Sequence, residues 1–216
     1  MSEESDLELR IILLGDPSTN KTSFLSKYIQ YDNSIGKIAT IGVDIRQKNI
    51  TMKNMKIKLK IFDTAGQERY RNLALNFLKG SDGAILLYDI TNDYTFNSLK
   101  NYYIKYIEEI NPYIKYIIVG NNCDLDNCRM ISREKVEKFC ETKNVEYIEV
   151  SSKLDIGIKE CFERLIKSII KDMTKEELIY KYSRKYKDED CKDCKIYDKK
   201  KRKKRIFSGF DKCICF

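Results

Sequence analysis

Gly15-Asp16-Pro17-Ser18-Thr19-Asn20-Lys21-Thr22 is the stretch on which the reading of this 216-residue chain turns. The apolar run Ile11-Ile12-Leu13-Leu14 precedes it and reads as a buried parallel strand. Ser23-Phe24-Leu25-Ser26-Lys27-Tyr28-Ile29 follows, with apolar spacing that suits a helix. Strand, tight loop, Lys-Thr and helix is the order that phosphate binding needs. Backbone N–H groups and a helix N-terminus face the anion, the lysine reaches the terminal phosphates, and the hydroxyl ligates Mg²⁺. The pattern G-x-x-x-x-G-K-[ST] is met except at Asn20, which stands where the second glycine belongs. On this stretch alone, a polar turn that merely caps a helix remains the competing reading.

Outward from the loop, strand-like and helix-like segments alternate, which predicts an α/β fold. Leu7–Leu14 is the first strand. Residues 31–39 are polar without clean periodicity and read as an exposed loop. The run from Thr40 to Ile45 and the strictly alternating Met55-Lys56-Ile57-Lys58-Leu59-Lys60-Ile61 form an antiparallel hairpin turned at Lys53-Asn54. That strand runs into Asp63-Thr64-Ala65-Gly66-Gln67-Glu68. Residues 83–88 and 116–119 are further buried strands, the second leading to Asn121-Asn122-Cys123-Asp124. Residues 93–110 have helical spacing, with Pro112 beyond the end. Ser132 caps a helix without a capping-box partner, since Lys135 occupies that place. Residues 145–150 form the last strand, ending at Ser151-Ser152-Lys153, and residues 156–170 an amphipathic helix. Polar residues thus recur at the C-terminal ends of strands, where open α/β sheets bind ligands.

No apolar run approaches the length of a membrane span, and residues 1–6 are polar and acidic, so a cytosolic protein is expected unless something anchors it. Four of the eight cysteines (Cys123, Cys128, Cys140 and Cys161) stand singly and read as reduced thiols. Cys191, Cys194, Cys213 and Cys215 crowd the end of the chain. Zinc ligation by those four is set aside, because the intervening segment shows no compact pattern. Charge is uneven: residues 171–216 hold 16 Lys/Arg against 9 Asp/Glu, so nearly all of the net +8 lies there. A solvated tail, nucleic acid and an anionic membrane are the open readings of that surplus.

Five motifs in order over about residues 7–172 resemble a small GTPase of the Ras superfamily, most closely the Rab family. They are the phosphate loop, Thr40, Asp63-Thr64-Ala65-Gly66-Gln67-Glu68, Asn121-Asn122-Cys123-Asp124 and Ser151-Ser152-Lys153. Ile41-Gly42-Val43-Asp44 and Leu87-Tyr88-Asp89-Ile90-Thr91 are similar to Rab sequences within that superfamily. The resemblance implies a P-loop NTPase G domain: a mostly parallel six-stranded sheet with one antiparallel strand and helices on both faces. It implies GTP or GDP with Mg²⁺ as ligands and slow hydrolysis of GTP. Gly15, Ser18, Thr19, Asn20, Lys21, Thr22 and Ser23 would hold the phosphates, with Lys21 also catalytic. Thr22, Thr40 and Asp63 would hold the metal, and Gly66 would offer its N–H to the γ-phosphate. Gln67 would orient the attacking water. Thr40 would join the metal shell only with the third phosphate present, which makes residues 31–44 a candidate switch. Asp124 would accept the guanine N–H donors and Asn121 would tie the base loop to the phosphate loop. Ser151, Ser152, Lys153 and Asn122 complete the base site.

The departures from the family pattern fall inside the nucleotide site. Asn20 replaces a glycine, Pro17 removes a backbone donor, and Asn122 replaces the lysine whose stem covers the base. Asn33 stands where the family stacks an aromatic residue on the base, a place Tyr31 or Tyr28 could fill. Three weakened contacts at ~1–2 kcal/mol each loosen binding about 10²–10⁴-fold. These asparagines also motivate a second reading, a non-hydrolysing pseudo-GTPase scaffold tethered to membrane. Ile45 and Phe62 replace the usual Phe and Trp of a partner-facing surface that Phe77 completes.

The expected domains are a polar extension over 1–6, a GTPase domain over 7–172, and a flexible basic tail over 173–216. Lys199-Lys200-Lys201-Arg202-Lys203-Lys204-Arg205 precedes Cys213-Ile214-Cys215-Phe216, which matches a prenylation signal with Cys213 and Cys215 as lipid acceptors. A lipid plus a polybasic run makes stable attachment to an anionic leaflet. Nucleic acid is set aside, because no stacking platform accompanies the run. The resemblance further implies an exchange factor, a GTPase-activating protein, and effectors docking on Ile41-Gly42-Val43-Asp44 and the segment after Asp63. The expected state is a monomer on the cytoplasmic face of an intracellular membrane, with a cytosolic pool.

Overall fold

A computed structural model describes residues 5–30, 37–40, 43–52, 54–64 and 77–173. Its strands are β1 (Leu7–Leu14), β2 (Lys37–Thr40), β3 (Val43–Met52), β4 (Met55–Thr64), β5 (Gly83–Asp89), β6 (Lys115–Asn121) and β7 (Glu146–Glu149). They form one sheet in the order β2-β3-β4-β1-β5-β6-β7. β1, β5, β6 and β7 run parallel, and β2 pairs antiparallel with β3. β3 turns into β4 at Asn54, whose φ of 64° an asparagine tolerates. The mostly parallel sheet with an antiparallel hairpin is therefore the G-domain architecture expected from the motifs. A short strand, β2, extends it at the edge. Residues 37–39 were expected in a loop. They pair with β3 through backbone groups, which needs no side-chain periodicity.

The helices are α1 (Lys21–Gln30), α2 (Asp93–Ser98, continuing through Leu99–Tyr103 to Ile104–Ile110), α3 (Arg133–Lys143) and α4 (Ile158–Asp172). Ser132 caps α3, its hydroxyl accepting from the Lys135 N–H. Asn144 ends that helix in a left-handed conformation, as a C-terminal cap requires.

The backbone divides into two units, residues 1–8, 49–58 and 172–216, and residues 9–48 and 59–171. In the first, Asp6 and Lys56 exchange bonds: the Asp6 N–H donates to the Lys56 carbonyl and the Lys56 N–H to Asp6 Oδ2. The second contains the motifs. On one sheet face Ile12, Leu14, Ala84, Leu86 and Tyr88 pack with Phe96, Leu99, Ile107, Val136 and Cys140 of α2 and α3. On the opposite face Phe162 of α4 stacks on Phe24 and Tyr28 of α1. Gly83 lets α4 come close, since a Cβ there would sit 2.6 Å from Ile169 Cδ1. Period-two alternation along buried strands sends successive apolar side chains to the two helical layers, each fully withdrawn from water.

Candidate functional site

The phosphate-loop stretch leaves the end of β1 as a tight turn. Gly15 has φ +147°, and a Cβ on it would meet the Leu87 carbonyl oxygen of β5 at 2.3 Å, so only glycine fits. Residues Pro17–Thr19 wind into a single 3₁₀ turn that Pro17 opens, a helical position where a missing N–H costs little. Thr19 is buried, and its N–H and hydroxyl both donate to the Asp16 carbonyl, at 3.2 and 2.8 Å. Asn20, where the phosphate-loop pattern has glycine, holds a left-handed conformation (φ 59°, ψ 35°). Its Nδ2 donates to Asn122 Oδ1 at 3.3 Å, turning the added side chain toward the base loop.

Lys21 is buried at the start of α1, and its Nζ donates to the carbonyls of Gly15 and Asp16, both at 2.8 Å. Burial pushes its ammonium down to about 8, against the opposing fields of Asp63 and Asp16. Thr22 and Ser23, both exposed, follow on the first turn of α1. Ser18 is exposed on the 3₁₀ turn.

Asp63 is the penultimate residue of β4. Its Oδ2 accepts from Thr22 Oγ1 at 2.7 Å, and its Oδ1 is buried without a hydrogen-bond partner. Burial raises the carboxyl above its ordinary value, and the Asp44 charge pushes the same way. The Thr22 hydrogen bond and the Lys21 charge oppose this. A buried, unpartnered carboxylate oxygen beside a hydroxyl fits a hard, oxygen-seeking cation such as Mg²⁺. Among the described residues no group of three or more carboxylates, thiols or imidazoles could hold a metal by itself.

Asn121 joins the parts. It is fully buried at the end of β6, and its Nδ2 donates to the Thr19 carbonyl at 3.0 Å. Its Oδ1 accepts from the Ser152 N–H at 3.1 Å and the Ser152 hydroxyl at 3.0 Å. Residues 102 and 31 positions away in two other motifs are thus tied through one side chain, the tie expected between base loop and phosphate loop. Asp124 is half-buried, and its Oδ1 accepts from the Ser151 hydroxyl at 2.6 Å. Lys153 is exposed. The base loop winds as a 3₁₀ turn over Cys123–Cys128, entered through Asn122 with φ 68°.

Thr40 closes β2, its backbone paired with Val43. Gly66, Gln67, Asn33, Tyr31, Ile41, Gly42, Cys213 and Cys215 lie outside the described residues. Tyr28 does not serve the base. Its ring is buried, stacked 3.6 Å from the Phe162 ring, with Lys48 Nζ over it at 4.2 Å. An aromatic four residues after Phe24 on α1 faces the α4 core, because i and i+4 share a helix face. Phe62 and Phe77 sit with ring centroids 4.9 Å apart and Ile45 packs on the same core cluster, in which Phe62 itself is buried.

Two groups had no signal in the sequence. Glu149, at the end of β7, receives a two-pronged bond from Arg129 at 2.7 and 2.9 Å, and further bonds from Arg133 and Tyr147. Arg129 also pairs with Asp126 at 2.6 Å, clamping the base loop to β7. Asp16, inside the phosphate loop, accepts from Ser98 and Tyr103 of α2. The bonds from Arg129 and Arg133 to Glu149 and from α2 to Asp16 span 16 to 87 positions, and no spacing rule connects them.

Comparison with known proteins agrees with this geometry. A family model described as the Ras family matches residues 10–171. Ras-related protein Rab-3C of Bos taurus is 36% identical over 173 residues, covering 80% of this chain and 76% of that protein. Ras-related protein Rab-3A of Homo sapiens is 35% identical over 169 residues, 78% of this chain and 77% of that protein. Ras-related protein Rab-8A of Gallus gallus is 34% identical over 176 residues, 82% and 85% respectively. With the phosphate loop, Thr22–Asp63 and the Asn121 tie all assembled on one sheet, the chain belongs to the Rab family of the Ras superfamily of small GTPases.

Proposed function

We propose that this chain binds GTP and GDP with Mg²⁺, hydrolyses GTP slowly, and works as a membrane-anchored switch in vesicle traffic. The observation that carries the reading is Asn121, whose buried amide bonds both the phosphate loop at Thr19 and the last base motif at Ser152. A buried polar side chain satisfied in this way holds loops in one arrangement and is costly to dismantle.

In this reading Lys21 leaves the Gly15 and Asp16 carbonyls and pairs with the terminal phosphates, supported by the N–H groups of residues 15–23. Thr22, Asp63 and Thr40 hold Mg²⁺, which when bound neutralises charge on the phosphate oxygens. Gly66 offers its N–H to the γ-phosphate and Gln67 orients the water that attacks it. Phosphorus–oxygen bond cleavage then leaves GDP and inorganic phosphate. Asp124, steadied by Ser151, accepts the guanine N–H donors, and Ser152 and Lys153 close the base pocket. An arginine to stabilise the transition state comes from a GTPase-activating partner. Ile41-Gly42-Val43-Asp44, the segment after Asp63 and the partly exposed Ile45 and Phe77 carry effectors and the exchange factor.

Residues 7–172 form the switch domain in this proposal and residues 173–216 the tail. Lipids on Cys213 and Cys215, with the basic run 199–205, hold the tail to the cytoplasmic face of an anionic membrane. Among the described residues no helix is long and apolar enough to cross a membrane, so attachment rests on the tail.

The test is to purify the full chain quickly, denature it and identify what is released. Guanine nucleotide near one per chain is the expected result. An empty site in the presence of added GDP and Mg²⁺ would leave the non-hydrolysing scaffold instead.

A further inference from the structure

Helix α2 changes its winding where it passes the phosphate loop. Between two α-helical stretches, Leu99–Tyr103 forms a π turn, with the Ile104 N–H donating to the Leu99 carbonyl five residues back. The segment Leu99-Lys100-Asn101-Tyr102-Tyr103 holds neither proline nor glycine, so no local residue forces the change. Its effect is geometric. In a regular α-helix residues five apart point about 140° away from one another, since each step turns by about 100°. An i→i+5 turn winds more slowly and returns the fifth residue toward the face of the first. Ser98 and Tyr103 are such a pair, and they meet on one atom. Ser98 Oγ donates to Asp16 Oδ1 at 3.0 Å and Tyr103 Oη to the same oxygen at 3.2 Å.

Asp16 and Tyr103 are both buried, so these are bonds without water as a ready substitute. The other end of Asp16 faces the site. Its backbone carbonyl receives Lys21 Nζ and both donors of Thr19. A side chain pinned by both hydroxyls restrains the loop residue that carries it, so α2 steadies Asp16, whose carbonyl, with that of Gly15, holds Lys21 in the nucleotide-free chain.

We propose that the π turn makes Ser98 and Tyr103 positioning residues of the nucleotide site, their hydroxyls fixing Asp16 and, with it, the backbone of the phosphate loop. The assignment rests on the nucleotide-binding reading above.

The experiment uses the full chain and two readouts. Hydrogen exchange over residues 15–22 is measured without nucleotide, and release of a fluorescent GDP analogue is measured with Mg²⁺. Tyr103→Phe and Ser98→Ala should each raise exchange in 15–22 and speed release about fivefold, the worth of one ordinary hydrogen bond. Together they should speed it about twentyfold or more. Ser98→Thr keeps the hydroxyl and should release more slowly than Ser98→Ala. In an Asp16→Ala background, Tyr103→Phe should add nothing, because the shared acceptor is gone. A melting temperature measured beside each variant separates general loosening from this local effect. Release unchanged in both single variants, or equal additional effects with and without Asp16, overturns the positioning role while the nucleotide site stands. A wild-type chain that takes up no GDP analogue overturns the nucleotide reading and this role with it.

Discussion

Asn20 and Asn122 are hydrogen-bonded partners, Nδ2 to Oδ1 at 3.3 Å, and both carry left-handed backbone, with φ 59° and 68°. These are the positions at which the chain departs from its family's phosphate-loop glycine and base-motif lysine. Two substitutions that look like separate damage in sequence are one contact in space. Asparagine suits both, because its short amide tolerates positive φ and can bond locally.

That pairing predicts an ordering of variants. Asn20→Ala loses the bridge and strains the backbone, and should cost about 1–2 kcal/mol in denaturant unfolding of the nucleotide-free chain. Asn20→Gly loses the bridge but relieves the backbone, and should cost less than half as much. Equal losses would mean that the left-handed conformation is not what Asn20 contributes.

The Thr22–Asp63 pair predicts how release depends on metal. Chelating Mg²⁺ should speed GDP release from the wild-type chain by roughly tenfold or more, the scale of one lost metal contact. In Asp63→Ala, release should already be fast and chelation should change it little. A variant that still responds fully to chelation would remove Asp63 from the metal site.

Glu149 sets a pH limit on stability. Burial pushes its carboxyl upward, but the bonds from Arg129, Arg133 and Tyr147 outweigh it and hold the group at about 2, below the ordinary 4.5. A depressed acid stabilises the fold above its unfolded value and loses that contribution as pH falls. The window therefore runs from about pH 4.5 down to about 2. Glu149→Gln should cost about 2 kcal/mol at neutral pH, since it removes the charge that Arg129 and Arg133 share while Arg129 keeps Asp126. Its melting temperature should also fall less steeply than the wild type's across that window. Parallel melting curves for the two proteins would contradict the clamp.

Gln67→Leu should slow GTP turnover about tenfold, a barrier change of ~1.4 kcal/mol, while GDP affinity stays within twofold. The measurement is phosphate release under single-turnover conditions. Unchanged turnover would take Gln67 out of the chemistry.

Much of this protein could be read in one dimension. Runs such as Ile11 to Leu14 and the alternation from Met55 to Ile61 fall on β1 and β4, because side-chain period and burial are local consequences of strand geometry. The helix over 93–110 and the Ser132 cap were legible for the same reason. The order of the motifs carried the fold class, since each sits at a strand end that the sheet brings to one rim. The resemblance to small GTPases also implied that Asn121 would bond the phosphate loop, as its Nδ2 does at the Thr19 carbonyl.

Tertiary structure decided the contacts between residues far apart in the chain. Tyr28 went to the α4 core, where stacking on Phe162 removes it from water. Residues 37–39 became strand through backbone pairing with β3, which polar composition does not reveal. Asn20 met Asn122 across 102 positions, Glu149 gathered Arg129 and Arg133, and Asp16 met Ser98 and Tyr103 through a π turn. Propensity and periodicity act over a few residues, whereas a hydrogen bond between distant loops depends on how layers pack. That packing is settled only when the whole chain has folded.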